Sequence, residues 1–99
     1  MLKIQMPVDA ANAAIKDGRL GKVLDATLQR LKPEAAYFTT LDGDRGGIIV
    51  FDLQNPSDIP EICEPFFNEL HAKIELSPVM IPAEVQIGLA KALGQLVAS

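Results

Sequence analysis

The 99-residue sequence predicts an α+β fold built on a four-stranded antiparallel sheet, and three observations carry that prediction. Gly46 to Leu53 reads Gly-Gly-Ile-Ile-Val-Phe-Asp-Leu, a β-branched and aromatic run whose apolar residues Ile48, Ile49, Val50 and Phe51 fill both faces of a strand. A strand apolar on both faces is covered on both, so it belongs in the middle of a sheet. Met1 to Val8 and Lys73 to Met80 alternate apolar and polar residues with the period of two that marks half-buried strands. Between these segments, apolar residues recur at three- and four-residue spacing, as amphipathic helices require.

The first strand places Leu2, Ile4, Met6 and Val8 on one face and Lys3, Gln5 and Pro7 on the other, with Pro7 ending the pairing. Asp9 is positioned to cap a short helix through Asp17, which Gly18 ends or bends. Leu20, Val23, Leu24, Thr27, Leu28 and Leu31 then form the stripe of a second helical piece, and Pro33 sets its end near Lys32. Glu34 to Leu41 is the next strand, joined to the central one by the hairpin loop Asp42-Gly43-Asp44-Arg45. If Leu41 faces Gly46, then Phe38 lies opposite Ile49 and Ala36 opposite Phe51 on one face, with Thr39 opposite Ile48 and Tyr37 opposite Val50 on the other. A two-residue or a four-residue loop gives the same parity, so the faces do not depend on the loop length.

Asn55 to Asp58 reads as a turn and helix cap, followed by the stripe Ile59, Ile62, Cys63, Phe66, Phe67 and Leu70. Pro65 falls inside this helix, which predicts a kink or a restart near Glu64. Pro78 marks the strand from Lys73 to Met80 as an edge strand. Pro82 opens a last helix with the narrow stripe Val85, Leu89, Leu93 and Leu96, weakened by Gly88 and Gly94, which must dock on something to persist.

Strand, helix, strand, strand, helix, strand is the ferredoxin-like βαββαβ order, here with an extra C-terminal helix, all within one domain spanning residues 1–99. Right-handed crossovers put both main helices on one face of the sheet and the first and third strands in its middle. The helix side then carries Leu2, Ile4, Met6, Ala36, Phe38, Ile49, Phe51, Ile74 and Leu76, packed on Leu24, Leu28, Leu31, Ile62, Phe66 and Leu70. The other face carries Ile48 and Val50 flanked by Tyr37, Thr39, Lys3, Gln5, Glu75 and Ser77. Burying Ile48 and Val50 is worth roughly 1.5 to 3 kcal/mol each. Two covers are available: a second copy in a twofold sheet-to-sheet homodimer, or the terminal helix folded under its own sheet.

Composition narrows the function classes. Nearly half the residues are apolar, which excludes a disordered tail, and a formal charge of −4 without a basic cluster argues against nucleic acid. No apolar run approaches a membrane span, no charged segment followed by an apolar block opens the chain, and the lone Cys63 forms no internal disulfide; a cytoplasmic protein is the expectation.

The strand end Met6 to Val8, the segment Lys32 to Phe38, the Glu-Pro-Phe-Phe run at Glu64 to Phe67 and the Pro-Val-Met of Pro78 to Met80 resemble small bacterial proteins of the dimeric α+β barrel type. That superfamily includes muconolactone-isomerase-like proteins, cofactor-free monooxygenases and members with no assigned activity. The resemblance implies a homodimer whose two sheets enclose a space. It transfers no catalytic residue, because no catalytic motif of the family is present.

Candidate chemistry follows from individual residues. Lys3, Gln5, Tyr37, Thr39, Glu75 and Ser77 form a polar set above the apolar floor of Ile48 and Val50, the make-up of a small-molecule pocket. In such a pocket Lys3 holds an anionic group, while Tyr37 and Glu75 move protons. The plain alternative makes Lys3 and Glu75 cross-strand surface partners and Tyr37 a dimer contact. His71, the single histidine, is either a general base or a residue at a helix C-terminus. It has no second ligand at metal-binding spacing, and no cofactor motif is present. Cys63 sits on an apolar stripe, where burial disfavours its thiolate. The function read from the sequence is a homodimer that binds a small, partly apolar ligand or serves as an assembly module, with a cofactor-independent isomerase or monooxygenase as the catalytic alternative.

Overall fold

In a computed structural model, which describes residues 1–98 and their side chains through Gln95, the chain is a mixed α+β structure. The elements are β1 (Leu2–Met6), α1 (Val8–Lys16), α2 (Arg19–Leu31), β2 (Ala35–Leu41), β3 (Asp44–Val50), α3 (Ile59–Leu70, preceded by a 3-10 turn at Pro56–Asp58), β4 (Lys73–Leu76) and α4 (Pro82–Ala98). The four strands form one antiparallel sheet in the order β2-β3-β1-β4, so β1 and β3 are central and β4 is an edge. None of the described helices is long and apolar enough to cross a membrane.

The β2–β3 hairpin turns on Asp42 and Gly43, both at positive φ (51° and 83°), the geometry of a type I′ turn whose twist matches that of its strands. Leu41 therefore pairs with Asp44, Ala36 with Ile49 and Tyr37 with Ile48. The register differs by two residues from the expected pairing of Leu41 with Gly46, because the shorter loop is the one adopted. Parity, and with it every face assignment, is unchanged.

Leu2, Ile4, Met6 and Ile49 point from the central strands into a core closed by Ala11, Ala14, Val23, Ile62, Phe66 and Leu70. Leu24, Leu28, Leu31, Ala36, Phe51, Leu53, Ile74 and Leu76 pack around it. Phe51 and Leu53 do so from beyond the end of β3, which stops at Val50 rather than Leu53: an apolar run continues inward after the ladder has ended. Phe38 is the exception among the expected core residues. It stands opposite Gly47 and is about half exposed, its ring lying where a glycine Cβ would be, 2.9 Å from Cδ1.

The first helical region breaks at Gly18 (φ +82°) into α1 and α2. The helix starts at Val8 after Pro7, so Asp9 lies in the first turn and acts on the helix dipole instead of capping through its side chain. Arg19 fastens the break: its backbone N–H and Nε donate to Asp17 at 3.0 and 2.7 Å, and Nη1 donates to the Glu69 carbonyl at 3.0 Å near the end of α3. α2 ends at Leu31, the boundary expected from Pro33, with Lys32 in the left-handed region (φ 44°) rather than in the extended conformation that a following proline favours.

α3 is continuous through Pro65, so of the kink or restart expected near Glu64 the restart does not occur. Pro65 is exposed, so the carbonyl it leaves without a partner can turn to water. Asp58 precedes α3 without a side-chain capping bond. β4 ends at Leu76, four residues short of Met80, and Ser77 to Ile81 runs to α4 without regular structure. At the start of α4 the Glu84 carboxylate accepts the Ile81 N–H at 3.0 Å, a cap through a side chain three residues into the helix. Every residue of α4 whose side chain is described is exposed; the helix does not fold under its own sheet.

Candidate functional site

Alternation along the strands defines the face opposite the helices. Register sets its residues in rows: Tyr37, Ile48, Lys3 and Glu75 are successive partners across the four strands, and Thr39, Gly46, Gln5 and Lys73 form the next row. Ser77 continues the β4 edge beside Met1, whose amino group donates to its carbonyl at 2.6 Å while the Ser77 N–H donates to the Met1 carbonyl at 3.0 Å. All six residues expected to share this face do share it.

They do not converge. Adjacent strands lie about 4.8 Å apart, so Tyr37 on one edge and Glu75 on the other are about 14 Å apart at their backbones. The face has two halves. On β2 and β3, Leu41, Ile48, Val50 and Tyr37 make an apolar half, with Tyr37 68% exposed. On β1 and β4, Lys3, Gln5, Lys73 and Glu75 make a polar half. Gln5 is already engaged, its Nε2 donating to Asp44 Oδ2 at 3.0 Å. Among the described residues the ion pairs are Arg19–Asp17, Arg19–Glu69 and Arg30–Glu61, all away from this face, so Lys3 and Glu75 are neighbours without being an ion pair.

A cleft of about 620 Å³ opens at one end of the sheet, where Met1, Val50 and Ser77 meet Phe51, Ile59 and Val79, with Lys32, Glu34 and Glu84 at its rim. Ser77 is the one residue of the expected polar set that lines it. Strand and helix periodicity carries no sign of this cleft, because most of its lining comes from segments outside the ladder. A second groove, of about 380 Å³, runs between α2 and α3 over Val23, Ala26, Ile62 and Pro65 and is bounded by the Arg19–Glu69 and Arg30–Glu61 pairs.

His71 is exposed at the end of α3 with φ +50°, and the following Ala72 N–H donates to the Phe66 carbonyl at 3.1 Å. This is a helix-terminating turn, the structural reading of the histidine. Cys63 is buried, and desolvation, with a smaller contribution from the Glu64 charge, pushes its thiol pKa up and away from nucleophilic chemistry. Among the described residues no group of three His, Cys, Asp or Glu side chains is placed to hold a metal ion. No protein-family model, curated protein or solved structure matches this chain.

Proposed function

We propose that the chain is one half of a homodimer of the dimeric α+β barrel kind, in which the open sheet faces of two copies turn inward and enclose a small, partly apolar ligand. The single observation that carries this reading is the uncovered apolar half of the open face, where Leu41, Ile48, Val50 and Tyr37 lie together with no layer of the same chain over them. The strand order β2-β3-β1-β4 supports the ferredoxin-like description of each half. The helix layer on the opposite face leaves this one as the side free to pair.

The polar half supplies the ligand-facing groups. Lys3, half-buried between Ile48 and Glu75, is the cation for an anionic or carbonyl group, and Thr39 and Ser77 offer hydroxyls. Catalysis as a cofactor-independent isomerase or monooxygenase is the weaker reading, because Tyr37 and Glu75 of one chain are too far apart to act on one reacting centre. Native mass spectrometry tests the proposal: a dimer that retains extra mass supports it, and a monomer at micromolar concentration removes it. If turnover of a substrate is found, a Tyr37→Phe or Glu75→Gln variant that leaves its rate unchanged excludes those residues from proton transfer.

A further inference from the structure

Helix α4 is unlike the rest of the chain. It extends about 25 Å, and with its linker it exposes Val79, Met80, Ile81, Val85, Leu89 and Leu93. Ile87, on the side away from the Val85–Leu89–Leu93 stripe, is exposed as well, so apolar residues occur around most of the helix. A helix apolar on more than one side is built for burial. Alone in water, a helix of this length containing Gly88 and Gly94 is marginal.

The size of the uncovered surface points the same way. A compact monomer of 10.7 kDa exposes about 5,500 Å², whereas this chain exposes 6808 Å². The surplus exceeds the roughly 800 Å² that each partner contributes to a standard interface. The radius of gyration is 17.0 Å against about 13 Å expected for a compact chain of this length. A protruding arm produces both excesses.

Charge selects the occupant of the arm. Between Pro82 and Ala98 the only charged residues are Glu84 and Lys91. A helix that lies on a membrane surface carries a face rich in lysine and arginine, which α4 lacks, and the chain is net negative. The matching surface, the apolar half formed by β2 and β3, is present on the same chain. α4 leaves from the opposite, β4 edge, beyond the polar half, and Pro78 and Pro82 stiffen the linker. Both halves of the interface are therefore on one polypeptide, which is what a closed twofold exchange requires.

We propose that α4 is an exchanged arm: each copy lays the Val85–Leu89–Leu93 stripe against the apolar β2–β3 half of the open face of a second copy. This deepens the homodimer reading and rests on it: the arm of the partner, rather than its sheet, covers the apolar half, and the polar halves built on Lys3, Gln5 and Glu75 are left to enclose the ligand. Mixing isotope-labelled and unlabelled full-length chain and recording isotope-filtered methyl contacts tests the arm directly. Contacts from Leu89 and Leu93 to Leu41 or Ile48 of the other chain support the proposal. Contacts made only within one chain, or only to the α2–α3 groove, overturn it.

Two full-length variants separate the proposal from the reading beneath it. Leu89→Asp lies outside the core, so the variant should remain folded, with a thermal melt by circular dichroism close to that of the parent at a concentration where both are monomeric, while its dimer dissociation constant should rise about 30-fold or more. If Leu89→Asp leaves the dimer intact and Ile48→Asp breaks it, the arm is wrong and the sheet-face dimer stands. If the parent chain is a monomer at every concentration, both fail.

Discussion

The two faces of the sheet are made by the same strands and differ in how completely one chain can cover them. On the helix side Leu2, Ile4 and Ile49 are fully buried, beneath Phe66 and Leu70, which are fully buried in turn. One residue along the same strands, Lys3 and Ile48 remain half-buried and Tyr37 stands out in the open. The difference lies in the helices: α1, α2 and α3 all serve one face, and α4, the helix left over, serves neither. A chain can thus complete a core and still carry a surplus of apolar surface, and it is the surplus that points to assembly.

Truncation on the covered face should be the most damaging. Phe66→Ala should cost about 3–5 kcal/mol of unfolding free energy, measured by urea denaturation, because the site is enclosed on all sides. The matching change on the open face, Ile48→Asp, should cost the isolated chain only about 1–2 kcal/mol, for a half-buried side chain and a poor strand former, while abolishing association in sedimentation velocity. A large loss of chain stability from Ile48→Asp would erase the contrast between the faces.

Gly47→Val probes the hairpin, where the covered face is least closed. A Cβ at Gly47 would meet the Phe38 ring at 2.9 Å, and because that ring is half exposed it can yield, so about 1–2 kcal/mol is expected rather than an unfolded chain. Thermal melts would read it.

Smaller effects come from titration. Burial raises the folded-state pKa of Cys63, so the native protein holds the thiol proton more tightly than the unfolded chain does. That contribution is complete below the unfolded thiol pKa of about 8.5 and is lost as pH rises through the folded value. Stability measured from pH 8 upward should fall more in the parent than in Cys63→Ala. The smallest effect belongs to Asp17, whose carboxylate pKa is lowered by hydrogen bonds from the Arg19 backbone and side chain. Its contribution is present above the unfolded carboxylate pKa and disappears as pH falls through the lower folded value. Because the pair is exposed, salt should mask it in acid melts of Asp17→Asn.

Much of the fold was legible in the sequence because alternation in β1 and the period of α2 and α3 are strong local signals. The face of each strand residue followed from parity alone. The register did not, since two loop lengths satisfy the same parity; the Asp42-Gly43 pair, a strong two-residue turn signal, was the residue-level clue that decides it. The run Ile48 to Phe51 looked like uninterrupted strand because Phe51 is apolar for a different reason, packing on the core after the ladder ends. Pro65 suggested a kink or a restart, and the restart is absent because the carbonyl that proline leaves without a partner lies on the exposed side of the helix. The candidate site was legible as a set of residues on one face, and the expected order with the first and third strands in the middle already sends Tyr37 and Glu75 to opposite edges. A shared face is not a shared site, because three strand spacings separate the two. The course of α4 was the least legible, because its sequence states that it must be covered and nothing local states by what.

Completion of the open face by a second copy can be read from sedimentation equilibrium of the full-length chain at micromolar concentration. A single species of twice the 10.7 kDa chain mass is expected, dissociating when Ile48→Asp is introduced. A stable species of one chain mass across the concentration range would contradict it.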